Sequence, residues 1–202
     1  MSEIERFIKE ASKIISEAGL KTALVISLGE NESFIVPIYN SFVLNHAIES
    51  YNITGQDIIN YFKRLLLQEG ALVGISPDNS LIKDIKKKVC YIALNPDKEA
   101  ALGQSIEKSY TRSDDVIIKV GKASFLAPEC FFKPITIGKD IDPLGEAIVK
   151  IVGLCDMSMR KELIANIILS GTEVLPGLNE RLTLEIKKKF SESIEVKIHN
   201  IM

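Results

Sequence analysis

Apolar residues recur along this chain with two periods, and the switches between them predict the order of its elements. After Ser2, the residues Ile4, Phe7, Ile8, Ala11, Ile14, Ile15 and Ala18 follow at 3.6-residue spacing until Gly19, with Ser2 and Glu5 placed as a capping pair. That pattern is an amphipathic helix. Thr22 to Leu28 and Ser33 to Tyr39 are rich in β-branched and aromatic residues and flank the turn Gly29-Glu30-Asn31-Glu32. A third short run, Phe42 to Ala47, follows, so the three predict an antiparallel meander. Thr54 and Asp57 open a second helix bearing Ile58, Ile59, Phe62, Leu65 and Leu66, which Gly70 closes.

In the middle of the chain, Ser80 to Lys88 reads as a basic helix, Val89 to Leu94 as a strand, the residues after Pro96 as a charged helix and Val116 to Val120 as a strand. Strong patterns return at Pro143. A helix runs through Leu154 and another begins near Ser158. A buried strand covers Ala165 to Leu169, a turn ends at Pro176-Gly177, a helix reaches Phe190 and a last strand spans Ile194 to Ile198. The order β-β-β-α, a long insert, then α-β-α-β predicts an α/β protein with a mixed sheet and flanking helices. Its expected division is a core of residues 1–53 and 141–202 and an inserted α/β lobe of residues 54–140.

Composition removes several classes of function. The chain has 202 residues, 46% of them hydrophobic, with 25 Lys+Arg against 27 Asp+Glu, a net charge of −2. Nucleic acid is therefore not an expected partner, because a phosphate-binding domain concentrates Lys and Arg. No apolar run approaches the roughly 20 residues that span a bilayer, so no membrane partner is expected either. Cys90, Cys130 and Cys155 are odd in number and far apart, and His46 and His199 are the two histidines. Neither a disulfide framework nor a zinc site is implied, and a reducing, cytoplasmic compartment is expected. Cys90 and Cys155 lie beside apolar residues and read as core thiols, and His46 reads as a structural histidine.

Candidate chemistry gathers where strands end. The turn after Leu28 and the segment Ser170-Gly171-Thr172 stand at strand ends, where α/β sheets collect ligands. Each offers one glycine, whereas phosphate cradles use several so that backbone N–H groups can approach oxygen. Turn geometry is the plainer reason for Gly29 and Gly171. The runs Ile85-Lys86-Lys87-Lys88 and Ile186-Lys187-Lys188-Lys189 each end a helix, where lysine complements the macrodipole by about 0.3–1 kcal/mol.

These segments carry a family resemblance. Leu20 to Gly29, Val36-Pro37-Ile38-Tyr39 and His46-Ala47-Ile48 resemble the strands that begin the second half of actin, and Lys83 to Leu94 resembles the helix and strand beside its adenine pocket. Ala127-Pro128-Glu129 with Phe132 and Pro134, Arg160 to Asn166, and Leu169-Ser170-Gly171 with Pro176-Gly177 extend the likeness over nearly the whole chain. Membership of the actin family implies a ribonuclease-H-like half-fold, with the insert corresponding to subdomain 4 and the remainder to subdomain 3. Actins bind ATP between two such halves, and this sequence resembles only the second.

Departures from the family's phosphate loop then shape the expected function. Ser27 stands where the family has the carboxylate that orders metal-bound water, and Phe34 where it has the water-positioning histidine. One of two adjacent glycines after Ser170 is missing, and Lys87 replaces the glutamate that holds the ribose. The resemblance thus implies a vestigial nucleotide set of Gly29, Asn31, Lys83, Lys86, Lys87 and Gly171. It implies no catalytic residue, no metal ligand and no required cofactor, with ATP or ADP and magnesium bound weakly if at all. The segment Asp156, Met157, Ser158, Met159, Arg160 and Lys161 matches one that contacts the next subunit along a filament, although helix initiation also explains its polar residues. The expectation is a cytoskeletal protein that binds actin or actin-like subunits, itself included, by capping, length control or co-assembly. The rival is a reduced ATPase whose site is completed by dimerisation or by a separate first-half chain.

Overall fold

A computed structural model describes residues 2–191 and 193–201. In chain order its first elements are α1 (Glu3–Glu17), β1 (Ala23–Leu28), β2 (Ser33–Tyr39), β3 (Phe42–Val43), β4 (Glu49–Ser50) and α2 (Gly55–Gln68). There follow α3 (Asn79–Val89), α4 (Pro96–Ala101), β5 (Lys108–Thr111), β6 (Ile117–Val120) and α5 (Ala123–Leu126). The chain ends with α6 (Leu144–Leu154), α7 (Met157–Ala165), β7 (Ile167–Ser170), α8 (Leu178–Lys189) and β8 (Ile198–Ile201). Two compact units result. One comprises Met1–Gly55, Ile141–Val174 and Leu182–Met202, the other Gln56–Asp140 and Leu175–Arg181.

The first unit is built on a six-stranded sheet of order β3-β2-β1-β7-β8, with β4 also paired to β2. Strand β1 is antiparallel to β2, from Ala23 opposite Ile38 to Leu28 opposite Ser33, and parallel to β7, which is parallel to β8. The sheet is therefore mixed. Every residue of β1 is buried, as expected of a central strand covered on both faces. Residues Ala23 and Val25 face α1, whose Phe7, Ala11, Ile14 and Ile15 pack on them together with Phe34, Val36, Ile38 and Ile168. The rings of Phe7 and Phe34 stack at 4.5 Å. Because successive strand residues alternate faces, Leu24, Ile26 and Leu28 point the other way, and there α7 contacts β1 and β2 while α6 contacts β2. The capping pair of α1 is formed: the Glu5 N–H donates to Ser2 Oγ at 3.2 Å and the Ser2 N–H to Glu5 Oε2 at 2.7 Å.

The second unit holds α3, α4, α5 and the antiparallel β5–β6 hairpin. Segment Leu175–Arg181 is fastened within it by a buried ion pair, Arg181 Nη2 to Glu129 Oε1 at 3.2 Å. The same guanidinium donates to the Ala93 carbonyl at 2.8 Å and lies over the Phe132 ring at 4.4 Å. Removing one member of such a pair leaves a buried charge and costs about 3–5 kcal/mol.

Several elements differ from the sequence expectation. The apolar run over 89–94 predicts a strand, but α3 continues through Val89 and gives way to an irregular segment. The amides of that segment bond singly to two neighbours, Tyr91 to the Ser124 carbonyl and Ile92 to that of Pro176. The third run of the meander shrinks to Phe42–Val43, because the chain turns through Asn40 and Ser41 with positive φ and then forms a short 3₁₀ turn over Asn45–Ala47. The last strand begins at Ile198, opposite Ile167, and not at Ile194. Strand β5 has the polar sequence Lys-Ser-Tyr-Thr and gave no apolar signal.

Candidate functional site

At the carboxyl ends of β1 and β7, two loops meet around Leu28. After β1 the chain reverses tightly, with the Gly29 N–H donating to the Glu32 carbonyl at 3.0 Å. A Cβ on Gly29 would lie 2.5 Å from that oxygen, so the turn needs glycine for space. After β7, Gly171 has φ +101°, and a Cβ there would sit 2.2 Å from the Leu28 carbonyl oxygen. Only glycine fits this approach. Next, the Glu173 N–H donates to that Leu28 oxygen at 3.0 Å, and the Gly55 N–H donates to the Gly29 carbonyl at 2.9 Å. Three main-chain donors at the strand ends therefore already serve carbonyls of the protein.

The side chains around them follow the same pattern. Ser27 Oγ donates to Glu10 Oε1 of α1 at 3.2 Å. Phe34 is fully buried against Phe7. The two positions where the resemblance expects a metal-ordering carboxylate and a histidine are thus absorbed into the α1–sheet interface. Glu32 accepts from Arg6 Nη2 at 2.7 Å and Asn31 is exposed. The Glu173 side chain is 2% exposed, and its carboxylate lies against Gly55, where an added Cβ would meet Oε1 at 2.3 Å and Cδ at 2.6 Å. Nothing in the sequence singled out Glu10 or Glu173. A magnesium-bound polyphosphate does not fit beside Gly55, where the buried Glu173 carboxylate occupies the space.

Lys83, Lys86 and Lys87 stand on α3 of the second unit. Lys86 is buried, Lys83 half-buried and Lys87 exposed. Neighbouring Lys88 pairs with Asp84 at 3.2 Å and lies over the Tyr110 ring at 4.7 Å, while the Tyr110 hydroxyl donates to the same carboxylate. Hydrogen bonds from Tyr110 and Lys88 hold the Asp84 carboxyl below its usual range. The open groove beside them, about 530 Å³, is lined by Asp84, Lys88 and Tyr110 together with Asp78, which accepts from the Leu81 N–H, and Arg112, which pairs with Asp114.

The segment from Asp156 to Lys161 has a different character. Asp156 is the N-cap of α7, yet its side chain makes no cap hydrogen bond, so capping does not account for its carboxylate. Met157 is 81% exposed and Leu154, at the end of α6, is 53% exposed. Between them the junction is rigid: Arg160 donates to the carbonyls of Gly153 at 2.7 Å and Cys155 at 3.0 Å. Arg160 thus satisfies carbonyls at the end of α6, while Met159 is half-buried and Ser158 and Lys161 are exposed. His46 Nε2 lies 3.2 Å from the Leu154 carbonyl, a structural bond to the same helix end.

All three cysteines are buried. Burial pushes the Cys130 thiol up to about 12 and also raises that of Cys155, which keeps both protonated and unreactive near neutral pH. Among the described residues no cluster of His, Cys, Asp and Glu could hold a metal ion, and no helix is long and apolar enough to cross a membrane.

A mixed sheet of order β3-β2-β1-β7-β8 with helices on both faces defines an α/β half-fold of the actin type. The family model Actin matches residues 7–80 and 75–202, and the chain belongs to the actin family.

Proposed function

We propose that this actin-family chain is an interaction subunit of a cytoskeletal system. It docks on actin or actin-like subunits, a second copy included, through the α6–α7 junction, and it does not hydrolyse ATP. The observation that carries the proposal is the exposed apolar pair Leu154 and Met157 on a junction fixed by Arg160. Exposed apolar side chains on a rigid base make effective anchors, because docking removes them from water with little ordering cost. The engaged strand-end donors favour binding over turnover, since phosphoryl transfer needs free donors and a metal placed together. Capping, length control and co-assembly are the outcomes such a surface would serve at a filament end.

The test is cosedimentation of the purified chain with filaments of the host cell's actin, together with filament elongation rates. Binding and a changed rate are expected, both weakened by Met157→Asp. A chain that stays in the supernatant and leaves elongation unchanged removes the proposal.

A further inference from the structure

We propose that Glu173 is the specificity-determining residue of the strand-end crevice, an internal carboxylate that occupies the place of a ligand's anionic group and so excludes nucleoside polyphosphates. This rests on the reading that the chain does not turn over ATP, and it names the group responsible.

Four observations converge on that side chain. Glu173 is 2% exposed although it lies in a connecting loop, where a glutamate ordinarily reaches solvent. Its backbone is pinned, because its N–H donates to the Leu28 carbonyl at 3.0 Å and Gly171, two residues earlier, is locked at φ +101° against the same oxygen. Its carboxylate rests on Gly55, close enough that no side chain larger than hydrogen could stand there while Glu173 keeps its place. Finally, the Thr172 hydroxyl donates to Glu173 Oε1 at 3.3 Å, so the neighbouring residue of the same loop serves the internal carboxylate.

Crevices beyond the carboxyl ends of strands are where α/β sheets take their ligands. A group bound there must find room. In this protein that room is taken by the chain itself, because the Glu173 carboxylate fills the space beside Gly55. A phosphate would have to displace a buried side chain that fills its space and is held by the surrounding loop. Size is the decisive part. The isosteric Glu173→Gln keeps the space filled, whereas Glu173→Ala empties it.

The experiment is a thermal-shift titration of the full chain with MgATP, and separately with magnesium pyrophosphate, on wild type, E173Q and E173A. A ligand at about five times its Kd raises the Tm of a protein this size by about 2–4 °C. Wild type and E173Q are expected to stay unchanged at millimolar ligand while E173A shifts by at least that amount. Should E173A not fold, E173T, which also shortens the side chain, takes its place with the same expectation. If the shortened variant is as silent as wild type, Glu173 is not what excludes polyphosphate and this inference falls, while the absence of turnover stands. A shift in wild type would overturn this inference together with the reading beneath it, and a shift in E173Q as large as in the shortened variant would overturn the assignment to side-chain size.

Discussion

The strand-end loops around Leu28 and the α6–α7 junction lie in the same compact unit, and they treat their polar groups in opposite ways. At the strand ends, the main-chain donors of Gly29, Gly55 and Glu173 are taken up by carbonyls of the chain, and the side chains of Ser27, Phe34 and Glu173 turn inward. At the junction, Arg160 satisfies the carbonyls of the helix end, and this leaves Leu154, Met157, Ser158 and Lys161 at the surface. A region that answers its own hydrogen-bonding demand has little left to offer a ligand. A region whose backbone is held from below can present side chains outward without disorder. In this chain the first arrangement falls where the family resemblance expects nucleotide, the second where it expects a neighbouring subunit.

The contrast can be broken most forcefully from the closed side. Gly171→Ala should destabilise by about 3–4 kcal/mol in urea denaturation, since the new Cβ meets the Leu28 carbonyl oxygen and φ is +101°. A cost below about 1 kcal/mol would show that the loop can relax and is not locked. Arg160→Ala comes next, with an expected loss of about 1–3 kcal/mol from two abandoned carbonyls. If Arg160 acted only at a partner surface, its removal would leave stability unchanged. Met157→Asp is expected to alter stability by less than about 0.5 kcal/mol while lowering affinity for actin subunits by about tenfold, equivalent to about 1.4 kcal/mol. Titration calorimetry checks the second figure.

The smallest effect is expected at Ser33. Its hydroxyl is buried at the first residue of β2, opposite Leu28, with no hydrogen-bond partner among the described residues. Ser33→Ala should therefore be neutral or stabilising by up to about 1 kcal/mol, because it removes an unsatisfied polar atom. A loss of stability on that substitution would reveal a partner for the hydroxyl.

Much of the first unit was legible because its signals are local. The Ser2–Glu5 capping pair, the 3.6-residue apolar spacing of α1 and the glycine turn between β1 and β2 each specify their element within a few residues. Where pairing with a distant strand decides, the sequence misleads. Ile194 to Ile198 alternates correctly for a strand, but only from Ile198 does the chain run beside β7. Lys108 to Thr111 has no apolar alternation and becomes a strand because β6 supplies its partner. The candidate site divides in the same manner. Gly29 and Gly171 were visible as turn residues, and the structure supplies the steric reason for each. Glu173 was not, since its burial depends on Gly55, a residue far earlier in the chain whose lack of a Cβ makes room for the carboxylate.

The most direct test of the proposed role is a solution mass. The chain is mixed with monomeric host actin in the presence and absence of MgATP and measured by analytical ultracentrifugation, beside its Met157→Asp variant. The account predicts a complex whose mass is the sum of the two chains, formed by wild type both with and without MgATP and weakened in the variant. A wild-type chain that sediments alone beside actin at every concentration would contradict it.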